Sequence, residues 1–149
     1  MRDRPRLRHM RRLAAVHEAQ CSFGERELSL AREEESARQY HNETSARAVD
    51  DLIADWKARL IGGGVDPHAL SAYAFMFEER RAQHQAAADA LETSRLETRR
   101  AGEQLALYQA RVKQANKSTR KLKRRISSRA EEAALAHVEA ALAYKWVRS

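Results

Sequence analysis

The residue types that could do chemistry in this chain are six histidines, one cysteine and several runs of acidic residues. A zinc hydrolase typically needs an H-E-x-x-H sequence, and a zinc cluster needs closely spaced cysteines. The histidines lack that spacing, and Cys21 has no second thiol with which to form a disulfide or a metal cluster. The Gly62-Gly63-Gly64 cluster lacks the lysine and serine or threonine of a phosphate-binding loop. The sequence therefore predicts a protein that is not an enzyme, with no catalytic residue, metal or cofactor.

The composition is typical of long helices. Charged residues make up 33% of the 149 residues and aromatic residues only 6%, and the chain has only two prolines and five glycines. Alanine, glutamate, arginine, leucine and glutamine are abundant, and all are strong helix formers. Apolar runs of the ~18–20 residues that span a bilayer are absent from the sequence. We therefore expect an all-α fold with a thin, regularly spaced apolar seam.

One interruption divides the chain. Glycine ends helices without steric cost, and the cluster at 62–64 is followed by Asp66, a good N-cap, and Pro67, which suits a first helical turn. We predict a single domain, 1–149, with helix 1 over about 6–61, a loop at 62–66 and helix 2 over about 67–146. A loop this short makes the two helices antiparallel neighbours, so the fold class is a long antiparallel two-helix coiled-coil hairpin.

Helix 2 carries a heptad repeat, which indicates a coiled-coil seam. Its two seam series are Leu70, Phe77, His84, Leu91, Thr98, Leu105, Val112, Thr119, Ile126, Ala133, Ala140 and Val147, and Tyr73, Arg80, Ala87, Ser94, Ala101, Tyr108, Ala115, Leu122, Arg129, Ala136 and Ala143. Folding about the glycines makes the numbers of facing residues sum to about 129. The predicted helix 1 seam is then Leu7, Met10, Ala14, His17, Cys21, Gly24, Leu28, Ala31, Glu35, Arg38, Asn42, Ser45, Val49, Leu52 and Trp56.

The register has two further consequences. The seam is polar between 35 and 45, so we expect Leu30, Ala37 and Tyr40 to take over part of it there. Helix 2 is also longer than helix 1. The last ~20 residues of helix 2, roughly 30 Å of helix, therefore have no partner in helix 1. A lone alanine-rich helix with exposed apolar residues is marginal in water and would be stabilised by insertion into a partner.

Two basic segments meet at the open end of this hairpin. The first spans 113–129, with eight basic residues and no acidic one, and the second is the N-terminal dozen, with six arginines, Arg2 among them, against Asp3. The formal net charge of +7 favours an acidic partner. Three interpretations stay open, namely a solvated basic face, a nucleic-acid surface without aromatic interleaving, and a protein-docking surface.

An aromatic cluster lies beside the loop. It comprises Leu52, Trp56, Leu60, Leu70, Tyr73, Phe75 and Phe77. Packing between the helices is one interpretation of this cluster. Since two helices cannot bury all of these rings, a docking patch is the other.

The layout resembles the FliJ family of flagellar export proteins and the YscO-type stalk proteins of injectisomes. The resemblance lies in a basic first helix, a short loop and a longer second helix, with local matches over 51–60, where Trp56 precedes Leu60 by four residues, and at Tyr73, Phe77, Arg80 and His84. Arg80 departs from the small residue that the family pattern has at this position.

The resemblance implies a fold like the central stalk of rotary ATPases and a role in type III protein export. Its partners would be the hexameric export ATPase, the cytoplasmic domain of the export gate and export chaperones, at the cytoplasmic side of the inner membrane. The implied gate-binding residues are Val49, Leu52, Trp56, Tyr73, Phe77, Arg80 and His84. The implied ATPase-binding residues are Arg8, Arg11, Arg12, Lys117, Arg120, Lys121, Arg124 and Arg125. The alternatives are a basic nucleic-acid-binding coiled coil and a plain coiled-coil scaffold.

Overall fold

The protein folds into two long helices that pack against each other, which confirms the predicted all-α fold class. The computed structural model describes residues 3–148, and this part of the chain contains no strand. Helix α1 spans Asp3–Ile61 and helix α2 spans Pro67–Arg148. Helix α1 begins three residues before the predicted start, because Asp3 suits the positive N-terminal end of a helix and Pro5 lies in the first turn, where a missing amide is harmless.

The loop between the helices has the chemistry expected of it. Gly63 adopts a φ of 99°, a conformation that side chains disfavour, after the Gly62 amide has closed the last turn of α1 on the Ala58 carbonyl. The Asp66 carboxylate accepts a hydrogen bond from the His68 backbone amide at 3.0 Å, which caps α2. The glycines and Asp66 thus have the local geometry for which the sequence suits them.

The chain divides into two compact units that we describe separately. The loop unit is Glu25–Gln104, and the terminal unit combines Met1–Gly24 with Leu105–Ser149. By sequence, the loop unit has 11 basic and 16 acidic residues, whereas the terminal unit has 17 basic and five acidic residues. The excess of basic over acidic residues thus lies entirely in the terminal unit. The expectation of a single domain stays a prediction.

The seam of the loop unit follows the predicted register. Leu52, Ala87 and Leu91 are buried. The Thr98 hydroxyl donates to the Ala31 carbonyl at 3.2 Å, which agrees with facing numbers that sum to about 129 in an antiparallel pair. Most seam positions of both helices are therefore buried or half-buried in this unit, whereas Leu70, beside the loop, is 47% exposed.

The polar middle of the seam corrects one expectation. Leu30 is 60% exposed and Tyr40 69% exposed, and Ala37 is also exposed, so these residues do not replace the polar seam residues. Instead, the register is kept by side-chain hydrogen bonds, among them a contact of 3.1 Å between the Ser45 hydroxyl and Nδ1 of His84. Such bonds satisfy polar groups that would otherwise be costly to bury.

Arg38 is a second correction. The heptad predicts it in the seam, but the side chain is exposed and pairs with Glu34 at 2.7 Å, one turn earlier on the same helix. A charged guanidinium gains more from water and a neighbouring carboxylate than from a place between two helices. Nearby, Oδ1 of Asn42 and Oγ of Ser94 are buried without a hydrogen-bond partner among the described residues.

The terminal unit repeats the same pattern. Ala14, Leu105 and Ala115 are buried, and a Cβ added at Gly24 would lie 3.1 Å from Cδ2 of Tyr108. At the far end of the pairing, Arg129 Nη1 contacts the Asp3 carboxylate at 2.5 Å. Every residue over 130–147 is exposed, as expected where helix 2 extends past the start of helix 1.

Two helical glycines give a matched test of this packing. A Cβ at Gly102 would meet nothing within 4 Å, whereas one at Gly24 would lie 3.1 Å from Tyr108 and 3.3 Å from Leu105. We expect Gly102→Ala to raise the free energy of unfolding by about 0.5–1 kcal/mol, because alanine favours the helix. Gly24→Ala should gain less or lose stability, since two core side chains must shift. Chemical denaturation followed by circular dichroism measures both, and a larger gain at Gly24 would contradict the packing.

Candidate functional site

A shallow apolar groove lies in the loop unit, and we call it the loop-end groove. Its volume is about 320 Å³, and its walls are Leu52, Ile53, Trp56, Leu70, Tyr73, Ala74 and Phe77. The rings of Trp56 and Tyr73 contact each other with centroids 4.8 Å apart and planes inclined at 46°. Such an apolar recess with large aromatic walls is the kind of surface on which an interaction partner can anchor.

The rim of the loop-end groove is polar and charged. The Tyr73 hydroxyl donates a hydrogen bond to the Asp55 carboxylate, and Arg59 lies both 3.5 Å from Asp55 and over the Tyr73 ring, 5.5 Å from its centroid. The hydrogen bond to Asp55 is the main cause that raises the pKa of Tyr73 above its ordinary value, and desolvation acts in the same direction. These contacts fix the orientation of the tyrosine ring.

The raised pKa of Tyr73 predicts a pH dependence. The neutral hydroxyl is favoured in the folded state, so its contribution to stability is present below the unfolded pKa of about 10 and is lost as pH rises through the folded value. We expect Asp55→Asn to shift the titration of Tyr73 to lower pH. The titration of Tyr73 is measured by the absorbance of tyrosinate as pH rises, after subtraction of the same curve recorded for Tyr73→Phe. Asp51→Asn, one turn earlier and exposed, is the control, and an equal shift there would contradict the assignment.

The structure brings together four of the seven predicted gate-binding residues. Leu52, Trp56, Tyr73 and Phe77 line the loop-end groove. Val49, Arg80 and His84 are half-buried along the seam and are not among the residues that line the groove. Arg80 donates to the Ala48 carbonyl at 3.0 Å, and His84 contacts Ser45. These contacts give Arg80 and His84 a role in holding the helices together, while their role in binding a partner stays a prediction.

Three groove residues are missing from the predicted site, namely Ile53, Leu70 and Ala74. Leu70 belongs to the predicted aromatic cluster, but Ile53 and Ala74 do not. Each of these two directly follows a seam residue, Leu52 or Tyr73, on the same flank of the seam. Apolar residues at this flanking position on both helices are the signal that would have located the groove.

The eight predicted ATPase-binding residues are all exposed side chains of the terminal unit. By the register, Arg8 lies at the same level of the helix pair as Lys121, and Arg12 at the same level as Lys117. None of the eight takes part in an ion pair within residues 3–148, and Asp3 is engaged by Arg129. The contact between Asp3 and Arg129 joins the two basic segments, while Arg2 lies outside the described residues. A surface with this many cations and few acidic residues attracts anionic surfaces, most strongly at low salt.

Helix α2 continues past this basic surface as the uncovered segment, residues 130–147. Its seam series is nearly all alanine, and a second face carries the exposed residues Leu135, Val138 and Leu142 at helical spacing. The residues of both faces are exposed between 130 and 143. A helix with apolar residues on more than one side is stabilised by a partner that surrounds it.

The described residues give no sign of other kinds of site. Over residues 3–148, histidine, cysteine, aspartate and glutamate side chains form no group of three or more that could hold a metal ion. Neither helix, over its described length, has a stretch that is long and apolar enough to cross a membrane.

The chain was compared with known proteins at three levels. No protein-family model, no curated protein and no solved structure matches it. The resemblance to the FliJ and YscO-type proteins accordingly stays a prediction from the sequence.

Proposed function

We propose that this protein is a non-enzymatic stalk of a type III protein export apparatus. In this role it binds and stimulates the hexameric export ATPase and links that ATPase to the cytoplasmic domain of the export gate. Its place would be the cytoplasmic side of the inner membrane, held there by these partners, with export chaperones as further ligands. The proposal assigns the protein no chemistry of its own.

The observation that carries the proposal is the arrangement of the terminal unit. Two exposed basic segments are joined by the Asp3–Arg129 ion pair, the eight predicted ATPase-binding cations have no acidic partner within residues 3–148, and the uncovered segment follows directly on the same helix. A helix that is exposed on every side can be stabilised by a ring that encloses it. The basic surface next to it would then favour a ring with an acidic entrance.

The loop unit supports the second half of the proposal. The loop-end groove presents Trp56, Tyr73 and Phe77 beside a polar rim, which suits a protein partner with an apolar anchor. The two candidate surfaces belong to different units of the chain. One molecule could therefore hold two partners at once, which is what a link between an ATPase and a gate requires.

The physical mechanism would be asymmetric contact. A single helical pair inside a sixfold ring cannot contact all subunits equally, so it would bias the subunits toward different states of the hydrolysis cycle. A ligand shifts such an equilibrium only by its differential affinity for the states. Stimulation therefore requires that the stalk binds some subunit conformations more tightly than others.

The test uses the full chain and purified export ATPase from the same organism. We expect co-elution with the assembled hexamer and a rise in ATP turnover that saturates near one chain per ring. Deletion of 130–147 should abolish the stimulation while the helical content of the remaining pair is preserved. An unchanged turnover together with no co-elution would defeat the proposal.

The basic surface favours one second candidate, a nucleic-acid-binding coiled coil. Adjoining exposed cations bind polyanions by releasing counterions, and this predicts affinity for duplex or single strands that falls steeply with salt. Aromatic stacking residues do not interleave with these cations between 113 and 129, where neither Phe, Trp nor Tyr occurs. Lack of duplex or single-strand binding at ~50 mM salt would remove this candidate. Stable self-association without any effect on an ATPase would instead favour a plain scaffold.

A further inference from the structure

The two flanks of the seam in the terminal unit differ in character. One flank, which we call the apolar flank, carries four exposed large apolar side chains: Leu13 at 38%, Val16 at 54%, Phe23 at 56% and Leu107 at 54% exposure. Leu13 directly precedes the seam residue Ala14, and Val16 follows Ala14 by two residues. Phe23 and Leu107 follow the seam residues Cys21 and Leu105 by two residues. In an antiparallel pair these positions of α1 and α2 fall on the same side.

Contacts at Gly24 anchor this placement. The backbone of Gly24 packs against Leu105 and Tyr108, since a Cβ there would lie 3.3 Å and 3.1 Å from their side chains. Phe23 and Leu107 are the chain neighbours of these contacting residues. Both therefore belong to the same level of the helix pair, one on each helix.

The opposite flank has no large apolar residue at the matching positions. The residues that directly follow the first seam series on either helix are small or polar, namely Ala15, Ser22, Ala106, Lys113 and Arg120. Solvation alone would give both flanks this composition. The difference indicates that the apolar flank is the one that a partner covers.

Charge narrows the choice of partner. The apolar flank also carries Arg6, Arg111, Lys121 and Arg125, and the paired part of this flank, over 6–23 and 107–125, has no acidic residue. The terminal unit as a whole has 17 basic and five acidic residues, so a second copy of it would be repelled. An acidic partner is favoured by the same field.

The shape of the apolar flank also limits the kind of partner that can bind there. Three of the apolar residues lie along α1 and the fourth, Leu107, lies on α2, so they border the space between the two helices. A third helix can lie along such a space with its apolar stripe inward. From Arg6 to Phe23 the flank offers about 25 Å of α1, the length of a helix of about 17 residues.

We infer that the apolar flank of the terminal unit binds an amphipathic helix of an acidic partner protein. Leu13, Val16, Phe23 and Leu107 contact the apolar stripe of that helix, while the surrounding arginines and lysines attract its acidic residues. The inference goes beyond the proposed function and does not rest on it: the flank shares Lys121 and Arg125 with the predicted ATPase-binding residues, but it is argued from four exposed apolar side chains to which the proposed function assigns no role.

The test titrates the full chain with a labelled synthetic peptide that has leucines at helical spacing and glutamates elsewhere, and follows its fluorescence anisotropy. Val16→Asp together with Phe23→Asp should weaken binding at least about tenfold, because the variant places charge at two central apolar contacts. Ala15→Asp together with Ser22→Asp adds the same charge to the same turns of the opposite flank. That control should change the affinity less than about threefold.

Four outcomes would overturn the inference. The first two are that the glutamate peptide does not bind, or that both double variants lose the same affinity for it. The other two are that a twin peptide with lysines in place of the glutamates binds equally well, or that the chain binds anionic phospholipid vesicles and not the peptide. Sedimentation of the free chain gives a further check, since self-association that Val16→Asp and Phe23→Asp abolish would assign the flank to a second copy. Circular dichroism verifies that both double variants keep their helices.

Discussion

Replacement of Leu91 with alanine should lower the free energy of unfolding by about 2–4 kcal/mol. Leu91 is 4% exposed and lies in the best-packed stretch of the loop unit, beside the buried residues Ala87 and Ser94. Its loss removes apolar contacts from both helices and leaves a cavity that the small neighbouring residues cannot fill. Urea unfolding followed by circular dichroism gives the number.

Leu96 is the matched control for this variant. It lies in the same helix and unit but is 46% exposed, so Leu96→Ala should cost less than about 1 kcal/mol. Both variants change the helix propensity by the same amount, which therefore cancels in the comparison. Equal losses at the two positions would mean that the seam runs elsewhere on α2.

Reversal of Arg120, Arg124 and Arg125 to glutamate should weaken binding of the export ATPase by a factor of about 30–1,000. The three side chains are exposed and belong to a segment of eight basic residues with no acidic one. Loss of each attraction and its replacement by repulsion is worth about 1 kcal/mol at such a surface, and each 1.4 kcal/mol is a factor of ten. Binding measured at several salt concentrations should also show a shallower salt dependence in the variant.

The control reverses Arg81, Arg99 and Arg100, which are exposed residues of α2 in the loop unit. This variant has the same net charge as the first one but keeps the basic segment of the terminal unit. We expect its affinity for the ATPase to stay within about threefold of the wild-type value. If both variants lose affinity equally, the partner responds to net charge alone, and the proposed ATPase surface is wrong. The same pair of variants also tests duplex binding under the alternative function.

The sequence predicted the fold well because its signals are local and mutually consistent. Three adjacent glycines stop one helix, and Asp66 with Pro67 starts the next, so the loop needs no tertiary information. The register then follows from the loop and the heptad alone. Apolar residues at both ends of the predicted seam left little freedom to slip, since a shift would expose Leu52 or Ala14.

The polar middle and the groove were harder to predict for a physical reason. At Ser45 and His84 the register is kept by hydrogen bonds, whose geometry depends on both helices at once. Arg38 is exposed to solvent and pairs with Glu34 instead of lying in the seam, and the heptad pattern does not predict this position. The loop-end groove includes Ile53 and Ala74 because flanking positions of two different helices meet there. The residue pattern of a single helix does not predict which flanking positions of two helices come together.

The concentration of charge in one unit also emerged only with the structure. The sequence shows the basic segments, but the separation into 17 basic and five acidic residues against 11 basic and 16 acidic ones depends on which parts of the chain pack together. The same is true of the apolar flank, whose residues come from both helices. Partner binding by these surfaces is therefore a hypothesis built on packing.

The loop-end groove, the basic surface and the apolar flank all depend on antiparallel pairing in which the numbers of facing residues sum to about 129. Disulfide formation between engineered cysteines, in a Cys21→Ser background, tests this pairing most directly. Rapid cross-links within one chain are predicted for Ala14→Cys with Ala115→Cys and for Ala31→Cys with Thr98→Cys, whereas Ala14→Cys with Leu122→Cys, one heptad out of register, should stay reduced. Cross-links that join two chains, or faster closure of the shifted pair, would contradict the hairpin and the surfaces built on it.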